Sequence, residues 1–127
     1  MSNHEGKELE LMLEGKKPLA MFYDDPDEDQ DERIVPAEAF DRFVRSGAFM
    51  KAERSFELAF DRRIGRNLRI RYILYCLKGE EWRIEAMFLA LKVRLTVRGY
   101  DEGIDRIVGA LLGYSDDEVD SYIAARK

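Results

Sequence analysis

Between residues 50 and 77 the apolar positions alternate, and from Glu80 onward they recur every three to four residues. That one switch does most to limit the fold. Alternation with period two sends successive side chains to opposite faces of a strand, whereas a 3.6-residue period lines one face of a helix. Met50, Ala52, Phe56, Leu58 and Phe60 share one parity against Lys51, Glu53, Ser55 and Glu57, with Arg54 as the exception. In Leu68–Leu77, Ile70, Tyr72, Leu74 and Cys76 share one face; Arg69, Arg71, Ile73 and Tyr75 share the other, which reads as a half-wet surface. The polar connector between the two segments predicts an antiparallel hairpin.

After the switch, Ile84, Met87, Phe88, Leu91 and Leu95 line a long helix that ends near Arg98-Gly99. Glu80 and Glu81 fall in its first turn and Arg98 in its last, as the helix dipole favours. Asp101–Leu112 supplies a further helix with Ile104, Ile107, Val108, Leu111 and Leu112 apolar. Ser115-Asp116-Asp117-Glu118 has the form of a capping box and opens the last helix, which runs to about Ala125.

The N-terminal part adds a short helix over Glu5–Glu14, a strand at Leu19–Tyr23 and a helix from Pro36 to Ser46. The order is α-β-α-β-β-α-α-α. This predicts an α+β fold: a small antiparallel sheet of about three strands with Phe22, Phe56 and Leu74 inside. Helices segregated on one face would make two layers. At 127 residues the chain has the length of one domain, 1–127, with no segment that reads as an interdomain linker.

Composition narrows the function classes. The longest apolar run, Ala86–Leu91, is far short of the ~20 residues a membrane span requires, so no membrane role is expected. The start of the chain has no basic-then-apolar leader pattern, which makes the cytoplasm the expected compartment. Cys76 is the only cysteine and His4 the only histidine, the latter in a tail expected to fray. Disulfides, His- or Cys-based metal sites and Ser-His-Asp catalysis therefore lack raw material. No phosphate-cradling glycine motif is present, so no cofactor and no metal are expected.

Four constellations remain. Seven of the nine residues Asp24–Glu32 are acidic. Without those seven, the chain's 26 acids fall to 19, against 21 lysines and arginines. Asp25, Asp27, Asp29 and Asp31 alternate like calcium ligands, but Gln30 stands where the calcium loop turns on Gly and Pro36 where it needs Glu. Residues 24–33 are therefore expected as an acidic, mobile surface loop, with Asp27, Glu28 and Asp29 as candidate docking residues. Arg62, Arg63, Arg66, Arg69 and Arg71 form the second group, beside Tyr72 and Tyr75, a mixture suited to phosphates and stacked bases. The C-terminal helix pair has helix-turn-helix proportions, but Asp116, Asp117, Glu118 and Asp120 would meet phosphates with like charge. Last, Glu80, Glu81 and Arg83 flank the only tryptophan, Trp82, at a strand-to-helix junction; a desolvated Glu there would be a weak catalytic candidate.

With no complete catalytic set, the expectation is a small, non-catalytic protein-interaction module of the bacterial or phage cytosol type. Separated acidic and Arg-rich patches would dock a protein partner, with a homodimer possible. A nucleic-acid accessory protein using the Arg62–Arg71 hairpin is one alternative, and a carboxylate enzyme at Glu80–Arg83 another. Separate patches require that the 24–32 carboxylates leave the arginines unneutralised.

Overall fold

A computed structural model describes residues 3–126. The elements follow the expected order: α1 (Glu8–Leu13), β1 (Leu19–Asp24), α2 (Ala37–Arg45), β2 (Phe49–Asp61), β3 (Arg66–Leu77), α3 (Trp82–Thr96), α4 (Glu102–Leu111) and α5 (Asp116–Arg126). The sheet is antiparallel throughout, in the order β1-β3-β2. β2 and β3 form the hairpin, with a register irregularity between Glu57 and Phe60.

β3 is central, and both of its faces are dry over its second half. Tyr72, Leu74 and Cys76 pack with Leu19 against Ile84, Met87, Phe88 and Leu91 of α3 and Ile104, Val108 and Leu111 of α4. On the opposite face, Ile73 and Tyr75 pack with Ala20 and Phe49 against Met12 of α1, Val35, and Ala37 and Phe40 of α2. The helices thus form a layer on each side rather than on one. The face expected to be half-wet is wet only toward Arg69 and Arg71. Tyr72-Ile-Leu-Tyr-Cys76 is a continuous buried apolar run, the pattern of a strand covered on both sides. Phe22 accordingly joins the α1–α2 side, while Phe56 and Leu74 share the α3–α4 side.

β1 pairs with only Arg71–Cys76 of β3. Past Arg71 the hairpin continues as a two-stranded arm, which leaves Phe60, Ile64 and Leu68 exposed. Leu95 and Ile107, expected on buried helix faces, are also exposed.

Local signals hold at the helix ends. The Ser115 N–H donates to Glu118 Oε1 (2.9 Å) and the Glu118 N–H to Ser115 Oγ (3.1 Å), a reciprocal capping box. Asp101 caps α4 by accepting from the Ile104 N–H at 3.0 Å. Between α4 and α5, Gly113 has φ +86°, and a Cβ there would run into Pro18 Cδ. The segment entering β1 thus crosses tightly over the α4–α5 turn.

Candidate functional site

The acidic loop and the arginine strand lie together. Asp24, the last residue of β1, faces Arg71 across the ladder, and Arg71 donates to both of its oxygens at 2.8 and 2.6 Å. Asp27 accepts from Arg66 at 3.0 Å and Arg69 at 2.9 Å, with Asp25 lying 3.9 Å from Arg66. Arg63 pairs with Asp61 at 3.2 Å. This corrects the expectation of separated acidic and Arg-rich patches. Opposite charges in adjacent strands attract, and the loop leaves β1 directly beside the arginine strand. Glu28 and Asp29 keep exposed carboxylates, and Arg62 an exposed guanidinium. Within the loop, Asp25 accepts from the Asp27 N–H and Asp31 from the Arg33 N–H, each two residues on.

The Glu80–Arg83 junction is knitted into the fold. Arg83 bonds Glu80 at 2.8 Å and also donates to the carbonyls of Ala110 and Leu111 at the end of α4. Glu81 accepts from the Gly79 N–H, and backbone hydrogen bonds hold its carboxyl below the usual range rather than above it. None of these residues lines either cavity described below. In the C-terminal helix pair, Arg106 bridges Asp120 (2.7 Å) and Glu102 (3.0 Å). Cys76 is buried, and desolvation pushes its thiol up to about 11. No cluster of three or more His, Cys, Asp or Glu able to hold a metal ion occurs among the described residues, nor any helix long and apolar enough to cross a membrane.

The concave surface lies elsewhere, along the free edge of β1. Pro18 accepts from the Leu77 N–H, so by alternation residues 18, 20, 22 and 24 direct their backbone groups to β3. Residues 19, 21 and 23 direct theirs away. A cavity of about 650 Å³ runs beside Met21, Phe22 and Tyr23. One wall comes from Glu5, Glu8, Arg33, Ile34 and Pro36, the other from Arg94, Asp105, Val108, Leu112, Tyr114 and Tyr122. The two helical layers thus form the sides of a groove whose floor is a sheet edge.

Two polar clusters stiffen the wall formed by the α4–α5 layer. Lys17, only 2% exposed, donates from Nζ to the Leu112 carbonyl at 2.7 Å and lies 2.8 Å from His4 Nδ1. His4 stacks on Tyr114 with centroids 3.7 Å apart, and its Nε2 lies 3.8 Å from Glu118. Burial lowers Lys17 to about 8, and burial followed by the Lys17 charge lowers His4. A neutral imidazole accepting at Nδ1 satisfies this network. His4, expected in a fraying tail, is therefore docked.

In the second cluster, Arg94 at the end of α3 donates to Asp105 Oδ1 at 2.7 Å. Asp105 is 7% exposed, and its Oδ2 has no hydrogen-bond partner among the described residues. Tyr100 lies beside it, its phenol raised first by desolvation and then by this carboxylate. Arg94, Asp105 and Tyr122 also line a neighbouring cavity of about 290 Å³.

No motif or spacing in the sequence marks Lys17, Arg94, Asp105 or Tyr23 as a site residue. Asp105 left one trace: it directly follows the inward-facing Ile104 on the apolar side of α4, where an ordinary first-turn acid would also sit. Comparison with protein-family profiles, curated proteins and solved structures finds no match to the chain.

Proposed function

We propose that the chain is a non-catalytic interaction module that takes an extended segment of a protein partner as a fourth strand along the free edge of β1. The observation that carries this reading is the groove floored by the outward backbone groups of Met21 and Tyr23. Main-chain hydrogen bonds to a sheet edge supply affinity for any extended peptide, and flanking pockets select its side chains. The cavity is within the ~300–1,000 Å³ range of ordinary ligand sites. Its walls combine apolar Ile34, Val108 and Leu112 with tyrosines and the charges of Arg33, Arg94 and Asp105. The opposite sheet edge, β2, is blunted by Lys51 and Glu53, as edges that must not pair commonly are.

The nucleic-acid alternative is weaker, because Asp24, Asp25 and Asp27 already face Arg66, Arg69 and Arg71, three carboxylates against three guanidinium groups. The enzyme alternative at Glu80–Arg83 has no cavity to hold a substrate among those described.

The test uses affinity capture from the native host with the full chain and two variants. Tyr23→Pro removes an outward N–H while leaving the β1–β3 ladder its bonds, since Pro is tolerated on a strand edge. Glu28→Lys with Asp29→Lys reverses exposed loop carboxylates that have no ion pair among the described residues. Loss of the same partner only in Tyr23→Pro supports strand addition. Loss only in the loop variant transfers docking to the loop and overturns it.

A further inference from the structure

α3 is apolar on two sides. Ile84, Met87, Phe88 and Leu91 enter the core, while Trp82, Ala86, Leu89 and Val93 follow a 4-3-4 spacing on the opposite side. Trp82 is 59% exposed, Leu89 64% and Val93 41%; Ala86 is half-buried. Spacing of that kind is the seam by which one helix packs along another. A helix apolar on nearly all sides is normally covered on all of them. Within the chain the seam is bordered and only partly covered: the Arg83 guanidinium lies over the Trp82 ring, 4.7 Å from its centroid, and Ala86 also touches the core. Arg54 of β2 lies 3.5 Å from Glu85 on one side, and on the other Arg83 and Arg94 tie α3 to α4.

We infer that this seam is a self-association surface, on which α3 of a second copy packs antiparallel about a two-fold axis. The complementarity of the helix with itself selects this occupant. Antiparallel pairing centred between Ala86 and Leu89 sets Leu89 over Ala86 of the second copy and Trp82 over its Val93, large against small at each level. In the same register Glu85 and Lys92, which flank the seam seven residues apart on one side, come opposite each other across the axis, once on each side. Lys92 is exposed and has no ion-pair partner among the described residues. A parallel pair would instead set Trp82 on Trp82 and Ala86 on Ala86, leaving a gap at the alanines and Glu85 with Arg54 of its own chain but no cation from the second copy. Isologous two-fold contacts of this kind are the commonest way soluble chains self-associate. The inference stands apart from strand addition, because Trp82, Ala86, Leu89 and Val93 lie outside the groove.

The experiment is sedimentation equilibrium of the full chain over a wide concentration range, with four variants each checked for native circular dichroism. The chain should populate a dimer, and Leu89→Glu should be a folded monomer. Glu85→Lys and Lys92→Glu alone should each weaken the dimer by about tenfold or more, since each sets like charges together twice. The double variant Glu85→Lys/Lys92→Glu should recover dimerisation. Mixing the two single variants should do the same, because one then carries only cations at these positions and the other only anions. A chain monomeric at every concentration, a dimer indifferent to Leu89→Glu, or single variants that fail to complement when mixed would each overturn the inference.

Discussion

Asp24 and Arg71 stand opposite one another in the β1–β3 ladder, joined by two hydrogen bonds of 2.8 and 2.6 Å. This pair begins the run of contacts by which the acidic loop lies along the arginine strand. It also anchors the C-terminal end of β1, next to Tyr23.

Removing the carboxylate should therefore cost stability where removing a free loop acid does not. Asp24→Asn is expected to lower the unfolding free energy by about 1–2 kcal/mol, the scale of charged hydrogen bonds at a partly exposed site. Asp29→Asn should stay within about 0.5 kcal/mol of the parent. Urea denaturation of both variants measures the difference, and equal midpoints would contradict the structural role given to Asp24.

The Lys17–His4 pair predicts a pH dependence of one sign. Both groups have folded values below their unfolded ones. Over the interval between the two values the unfolded chain binds the extra proton, so stability rises with pH there. For Lys17 that interval runs from about 8 up to its ordinary value near 10.5, with a slope of at most ~1.4 kcal/mol per pH unit. For His4 stability is lost as pH falls below 6.5, when a charged imidazole would face the Lys17 ammonium. Chemical denaturation from pH 5 to 10 checks both limbs. Lys17→Met should flatten the alkaline limb and His4→Gln the acidic one.

Gly113 and Gly99 separate backbone strain from crowding. Both have positive φ, at +86° and +76°, but only at Gly113 would a Cβ collide with another segment, at Pro18. Gly99→Ala should cost about 1 kcal/mol from the left-handed backbone alone. Gly113→Ala should cost more and should disturb the segment entering β1. Thermal melts rank the two variants, and a reversed order would rule out the close approach at Pro18.

Element type and order are local properties, and the sequence carries them. The alternation through Met50–Phe60 and Leu68–Leu77 and the 3.6 period from Ile84 each reflect the geometry of a single element, so the hairpin and α3–α5 were visible in one dimension. So were the capping box at Ser115–Glu118 and the buried register of Cys76. Features that depend on what lies beside an element are not legible in this way. The Ile73–Tyr75 face looked half-wet because Arg69 and Arg71 share its parity, yet α1 and α2 cover its far half. The arginines and acids looked like two patches because nothing in their spacing says that β1 pairs with β3.

The groove is the clearest case of that limit. Its wall residues Lys17, Arg33, Arg94, Asp105 and Tyr122 come from five segments, and none stands out from its neighbours by type or period. The amino-acid order by itself determined which stretches become strands and helices, because backbone sterics and side-chain periodicity act within a few residues. Strand order, the second helical layer, the neutralised arginines and the exposed floor of β1 were decided only by packing, because their energies arise between segments far apart in the sequence.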